Sequence, residues 1–238
     1  MRHDEPIESA VLELRQYTLH PGRRDVLIDL FEREFVESQE DAGMDLVGTF
    51  RDLDRPDRFV WIRGFPDMAS RAESLQAFYG GPVWQAHREA ANATMIDSDN
   101  VLLLRPLAAG RGFAQAVTRR APIGAVALPD ARVLAGICPL EAPADDALGR
   151  ALDEALADAG IVPIARLETE PAENTFPRLP VRTGEHVLVW FARFDDDDAL
   201  RAAQARLAAS PRWTAFVETL RSPPEALVLA PTARSRLA

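Results

Sequence analysis

Residues 61–65 read Trp61-Ile62-Arg63-Gly64-Phe65, and 129 positions later the chain reads Trp190-Phe191-Ala192-Arg193-Phe194. The same offset carries Pro82 and Trp84 onto Pro211 and Trp213. Matches at Trp, Phe, Pro and Trp with one spacing point to two copies of one unit. Further out, Leu102-Leu103-Leu104-Arg105-Pro106 is echoed by Leu227-Val228-Leu229-Ala230-Pro231 at an offset of 125. So long a period describes two small domains rather than a solenoid of short repeats. A chain of 238 residues has room for both.

Each copy reads as strand-helix-strand-strand-helices-strand. In the first, Val11–Leu19 alternates as a strand with Glu13, Arg15 and Tyr17 on one face and Leu12 and Leu14 on the other. His20-Pro21-Gly22 breaks it. A helix follows to about Asp41, with Leu27, Leu30, Phe31 and Phe35 at helical spacing and Gly43 near its stop. Leu46–Arg51 and Phe59–Phe65 are the next strands. Asp67 caps a short helix through Phe78, Pro82 opens another to about Met95, and Asn100–Arg105 is the last strand. In the second copy the strands are Arg132–Leu140, Ile161–Leu167, Glu185–Phe194 and Ala226–Ala230. The helices are Asp145–Ala159, Ala199–Ala209 and Pro211–Leu220. Pro163 suits an edge or bulge, and the loop from Glu168 to Gly184 is longer than its counterpart. This order is the split β-α-β arrangement of ferredoxin-like domains. The expected fold is therefore α+β, with a domain at 9–108, a connector at 109–130 and a second domain at 131–232. Residues 1–8 are expected to be loose.

Composition narrows the function. A net charge of −10 argues against nucleic-acid backbones and anionic membranes as partners. All 27 basic residues are arginine, which excludes Schiff-base and pyridoxal chemistry on lysine. The single cysteine, Cys138, excludes an intrachain disulfide and a cysteine-based zinc site. No apolar run approaches transmembrane length, and the start lacks a signal peptide's apolar stretch, so a cytoplasmic location is expected.

The first copy resembles the NIPSNAP family. The similarity rests on Glu13-Leu14-Arg15-Gln16-Tyr17-Thr18-Leu19-His20-Pro21-Gly22, on Trp61-Ile62-Arg63-Gly64-Phe65-Pro66-Asp67, on Arg71 and Trp84, and on the closing Leu-Leu-Leu-Arg-Pro. It spans about residues 10–107; the second copy is similar to a degenerate version that keeps the tryptophans. The resemblance implies a dimeric α/β-barrel in which two ferredoxin-like sheets close into one barrel with helices outside. Here both halves come from one chain. The wider superfamily implied includes cofactor-free oxygenases, isomerases and haem enzymes. Single-copy relatives need a partner, and a fused pair leaves a further homodimer open.

The copies differ where chemistry would sit. Aligning Leu12 with Val133 places Glu13, Arg15 and Tyr17 on Leu134, Gly136 and Cys138, and aligning the tryptophans places Arg63 on Ala192. Facing a barrel interior, Glu13, Arg15, Tyr17, Trp61 and Arg63 would line a cavity with excess positive charge, suited to an anionic or enolate-like organic ligand. The second half would then serve as an apolar wall, with Cys138 near the same cavity. The competing reading is a buried ion-pair network that only holds the fold. On the functional reading Arg15, Arg63, Trp61 and Trp84 bind substrate, Tyr17 donates a hydrogen bond, and Glu13 or His87 moves a proton. His87 lies three residues after Trp84 and is the best placed of four histidines to act as base or haem-type ligand; its bland reading is a half-exposed cover for the tryptophan. His20 is read as a loop residue, and His3 and His186 as tail and strand-edge residues. No metal-ligand spacing occurs, and Asp195–Asp198 reads as favourable charge at a helix start. No nucleotide cofactor fingerprint is present. Two functions remain: an enzyme without cofactor that isomerises, moves a proton or oxygenates a small molecule, and a non-catalytic binding or interaction module.

Overall fold

Strand β1 (Val11–Leu19) is the centre of the first half and forms over the span its alternation predicts. The computed structural model describes residues 9–113 and 116–238, so the expected loose tail at 1–8, with His3, lies outside the described residues. After β1 come α1 (Arg24–Leu30), a π-helical turn (Phe31–Phe35) and α2 (Val36–Asp41). Next are β2 (Asp45–Asp52), β3 (Arg58–Phe65), α3 (Met68–Gly80), α4 (Pro82–Asn92), β4 (Met95–Asp97) and β5 (Val101–Pro106). The second half runs β6 (Arg132–Leu140), α5 (Asp146–Asp158), β7 (Pro163–Thr169), β8 (His186–Phe194), α6 (Asp197–Ala209), α7 (Pro211–Glu218) and β9 (Glu225–Pro231).

Local chemistry sets these boundaries. Asp67, Asp145, Asp196 and Ser210 cap α3, α5, α6 and α7 by accepting from backbone N–H groups. Pro82 and Pro211 occupy the first helical position, where no N–H is needed. Pro163 stands at a register shift of β7 against β8, as its missing donor requires. The short β4, expected as the end of a helix, instead adds to the edge of β1 through Thr18 and Leu19.

Eight strands close into one antiparallel barrel in the order β1-β3-β2-β9-β6-β8-β7-β5. Within each half the order is that of a ferredoxin-like sheet. Between halves, β2 pairs with β9 and β5 with β7, so the same kind of edge joins in both places. Even-numbered residues of β1 (Leu12, Leu14) fill the barrel with Val60, Ile62, Val133, Ala135, Val189 and Phe191. Odd-numbered residues turn outward beneath the helices. Both faces of the sheet are thus buried. This corrects the expected placement: the polar stripe of β1 lies outside the barrel wall, between sheet and helices, and the barrel interior is packed hydrocarbon.

Candidate functional site: an aromatic cavity over a buried ion cluster

Between the first half's sheet and helices, Glu13 is fully buried and accepts from three guanidiniums. Arg15 Nη1 lies 2.7 Å and Arg63 Nε 2.8 Å from its Oε2, while Arg71 Nε lies 2.7 Å from Oε1. Antiparallel pairing of β1 with β3 explains the meeting, because Glu13 stands opposite Arg63 and Arg15 opposite Trp61. Arg71 reaches in from the first turns of α3. Burial raises the Glu13 carboxyl, but Arg63, Arg15 and Arg71 more than offset it and hold the group well below the usual carboxylate range. Two further donors are used as well: Arg15 Nε donates to the Tyr17 hydroxyl at 3.1 Å and Arg63 Nη1 to Gln39 Oε1 at 3.0 Å.

Three cations against one carboxylate leave a formal excess of two positive charges in the interior. Aromatic faces take up part of it. The Arg15 guanidinium lies 5.4 Å from the Tyr17 and Trp61 rings, and that of Arg63 lies 5.0 Å from Trp61.

Above this cluster is a cavity of ≈ 340 Å³. Its walls include Tyr17 and Trp61 from the sheet, Phe31 and Phe35 from the π-helical turn, and Phe78, Tyr79 and Trp84 from α3 and α4. The π-helical turn sets both phenylalanines toward the cavity; such turns recur at functional sites. The eighth ring, Phe176, comes from the other half. It belongs to the long β7–β8 loop, which passes over β5 as a strap and stacks Phe176 on Tyr79 at 5.9 Å. The strap is fastened by Arg71, which donates to Asn174 Oδ1 at 3.0 Å and Thr175 Oγ1 at 3.2 Å, and by Arg182 N–H, which donates to Val101 O at 2.8 Å.

The predicted site residues therefore divide. Tyr17, Trp61 and Trp84 line the cavity. Glu13, Arg15 and Arg63 come together, but behind its floor, at most 1% exposed. A carboxylate so firmly ionised and enclosed is ill suited to taking up a proton. His87 is not among the lining residues: its Nε2 lies 3.5 Å from Glu34 and its ring faces Phe35 at 6.3 Å. The half-buried ring thus covers Phe35 beside Glu34, outside the cavity lining. Burial pushes the Tyr17 phenol up, partly opposed by Arg15. The hydroxyl therefore keeps its proton and, since it already accepts from Arg15, has that hydrogen to donate. Among the described residues no group of three or more His, Cys, Asp or Glu is assembled for a metal ion, and no helix is long and apolar enough to cross a membrane.

Cys138 does not share this cavity. It lies in the second half's own sheet-helix space, packed with the buried side chains of Leu134, Trp190, Ala192 and Leu200. A Cβ on Gly136 would run into the Trp190 indole, so the volume corresponding to the Arg15 side chain is taken by tryptophan. The second half thus reaches the first half's pocket through its strap, with Phe176, Arg178 and Leu179, and not through Cys138. Sequence reading missed Arg71, Gln39 and the strap; of these only Arg71 carries a signal, through the family resemblance.

Comparison with known proteins agrees with this fold. Residues 12–110 match the NIPSNAP family model. The match covers the half that holds the cavity and the ion cluster. No protein of curated function matches the chain. A solved structure provisionally named a monooxygenase, from Lactobacillus acidophilus NCFM, aligns over 97% of this chain and 98% of its own, with TM-score 0.53 at 12% identity. A second with the same provisional name, from Fusobacterium nucleatum, covers 95% and 94% with TM-score 0.58 at 6% identity. Both share the fold of this two-half barrel over its whole length. An uncharacterised NIPSNAP-like domain protein from Burkholderia xenovorans is 24% identical, covering 44% of this chain and 90% of its own, with TM-score 0.40.

Proposed function

We propose that the first half binds a small, electron-rich aromatic molecule in its cavity. The observation that carries this reading is the pairing of eight aromatic walls with a buried cluster in which guanidiniums outnumber carboxylates three to one. A volume of ≈ 340 Å³ falls at the low end of the ~300–1,000 Å³ range of ligand pockets. Aromatic walls favour a flat apolar body, and positive charge beneath Tyr17 and Trp61 favours electron density above them. The Tyr17 hydroxyl, polarised by Arg15, is the donor for an oxygen on the ligand.

A second reading, catalysis, is favoured by that same Tyr17–Arg15 pair, which suits an oxyanion that develops during reaction. Among the described residues the lining offers no carboxylate or imidazole. A reaction would have to draw its proton acceptor from the ligand or solvent, so oxygenation of a readily ionised substrate asks least of this site. The monooxygenase names of the two full-length neighbours are compatible with it, though at 12% and 6% identity they carry the fold alone.

Native mass spectrometry of the purified chain, followed by thermal unfolding with a panel of one- and two-ring aromatics, tests the binding reading. A retained or added ligand at about 100 times its Kd should add about 2.7 kcal/mol of stability. Leu179→Trp, which fills the cavity from the strap, should remove that gain. No adduct and no stabilisation across the panel would reject the proposal.

A further inference from the structure

Two residues of the cavity lining are themselves cationic, and they come from different halves of the chain. Arg88 projects from α4, on one helical face with Gln85 and Asn92, and Arg178 projects from the β7–β8 strap of the other half. Both are exposed and so mark the mouth rather than the floor. Neither has a hydrogen bond or ion pair among the described residues. The side chains of Arg23, Arg119, Arg150 and Arg221 share that state, but Arg88 and Arg178 are the two that line the cavity. Acidic residues outnumber basic ones 37 to 27, and even well-exposed arginines such as Arg212 and Arg201 find carboxylates, Glu154 and Asp198. Two unpaired guanidiniums at one opening, in a chain of net charge −10, form a local reversal of field.

The floor cannot serve the same purpose. Arg15, Arg63 and Arg71 are sealed behind Tyr17 and Trp61 and already engaged with Glu13. A fully charged group would have to shed its water to approach them, whereas at the mouth it keeps one side solvated. The guanidinium fork matches a planar carboxylate.

Resting on the binding reading above, we infer that the ligand is a ring-bearing monocarboxylate, its rings among the aromatic walls and its carboxylate held at the mouth between Arg88 and Arg178. The second half, whose own sheet-helix layer is lined with apolar side chains, thereby supplies one of the two specificity-determining cations. Recognition of the acid becomes a joint property of both halves.

The test titrates 2-naphthoate and, in parallel, its uncharged methyl ester against tryptophan fluorescence, which Trp61 and Trp84 place at the cavity. The acid should bind more tightly than the ester. Arg88→Gln and Arg178→Gln should each weaken the acid by about fivefold, the scale of one exposed charge pair, and leave the ester unchanged. The acid's advantage should also shrink as salt rises from about 0.05 to 0.5 M, because exposed charges are screened. Equal binding of acid and ester, or an acid preference that survives Arg88→Gln/Arg178→Gln, would overturn the inference while leaving an aromatic-binding cavity in place. No quenching by either probe would overturn the binding reading and the inference with it. Circular dichroism of each variant should match that of the wild type, since both substituted residues are exposed.

Discussion

The two halves of this barrel share an element order and solve the same packing problem in opposite ways. Each must fill the space between four strands and its helices. The second half does so with hydrocarbon: Leu134, Leu152, Leu156, Trp190, Ala192 and Leu200 close over one another, and Trp190 meets Trp213 edge to face at 6.1 Å. In the first half the corresponding tryptophans, Trp61 and Trp84, make no ring contact with each other among the described residues and instead line a shared cavity. Beneath it, Glu13, Arg15, Arg63 and Arg71 replace Leu134, Gly136, Ala192 and Leu200. Apolar packing is the simpler way to hold such a layer together, since a buried ion pair often stabilises no more than a hydrocarbon core of the same volume. Keeping charge in one half only therefore points to a use for it beyond stability.

That contrast can be broken deliberately. The largest effect should come from Glu13→Gln, which leaves three guanidiniums without their shared counter-charge. Urea unfolding should show a loss of about 3–5 kcal/mol. A loss below about 1 kcal/mol would mean that the arginines are compensated elsewhere. In the second half, Gly136→Ala should cost about 1–3 kcal/mol by driving a methyl group into the Trp190 indole, with no effect on the first half's cavity. An unchanged Tm for this variant would show that the tryptophan has room to move.

The pH dependence sharpens the comparison further. The Glu13 carboxyl is depressed in the folded chain from its ordinary value of 4.5. Its contribution is present in full above that pH and is lost as pH falls below it, because the unfolded chain then binds the proton first. The stability gap between wild type and Glu13→Gln should accordingly be constant from pH 8 to about 5.5 and narrow below 4.5. A gap that stays flat down to pH 3 would contradict the ion cluster. The smallest effect is expected at Cys138, where burial pushes the thiol up to about 12. Iodoacetamide at pH 8 should label it only after unfolding. Prompt labelling of the native chain would show that the second half is open after all.

Much of this was legible in the residues. Alternation along Val11–Leu19 put Glu13, Arg15 and Tyr17 on one face, and the offset between copies showed that this face had been emptied of charge in the second. Which way the face looked could not be read. In a closed barrel clad in helices both sides of a strand are buried, so Leu12 and Arg15 carry no label for inside and outside. Arg71 was missed as a member of the cluster because it sits on α3, where a strand-by-strand alignment does not look. The strap was visible only as a long loop. Its fastening pairs Arg71 with Asn174, 103 positions away, and no local pattern specifies so distant a contact. The π-helical turn is likewise silent in the spacing of Phe31 and Phe35, which fits an ordinary helix.

Four tryptophans, two in each half at matching positions, make the decisive measurement accessible. With 5-fluorotryptophan incorporated and each fluorine resonance assigned by single Trp→Phe substitution, saturating 2-naphthoate should shift the signals of Trp61 and Trp84. Those of Trp190 and Trp213 should stay in place. Movement of the second-half pair, or of none of the four, would contradict a single open site in the first half.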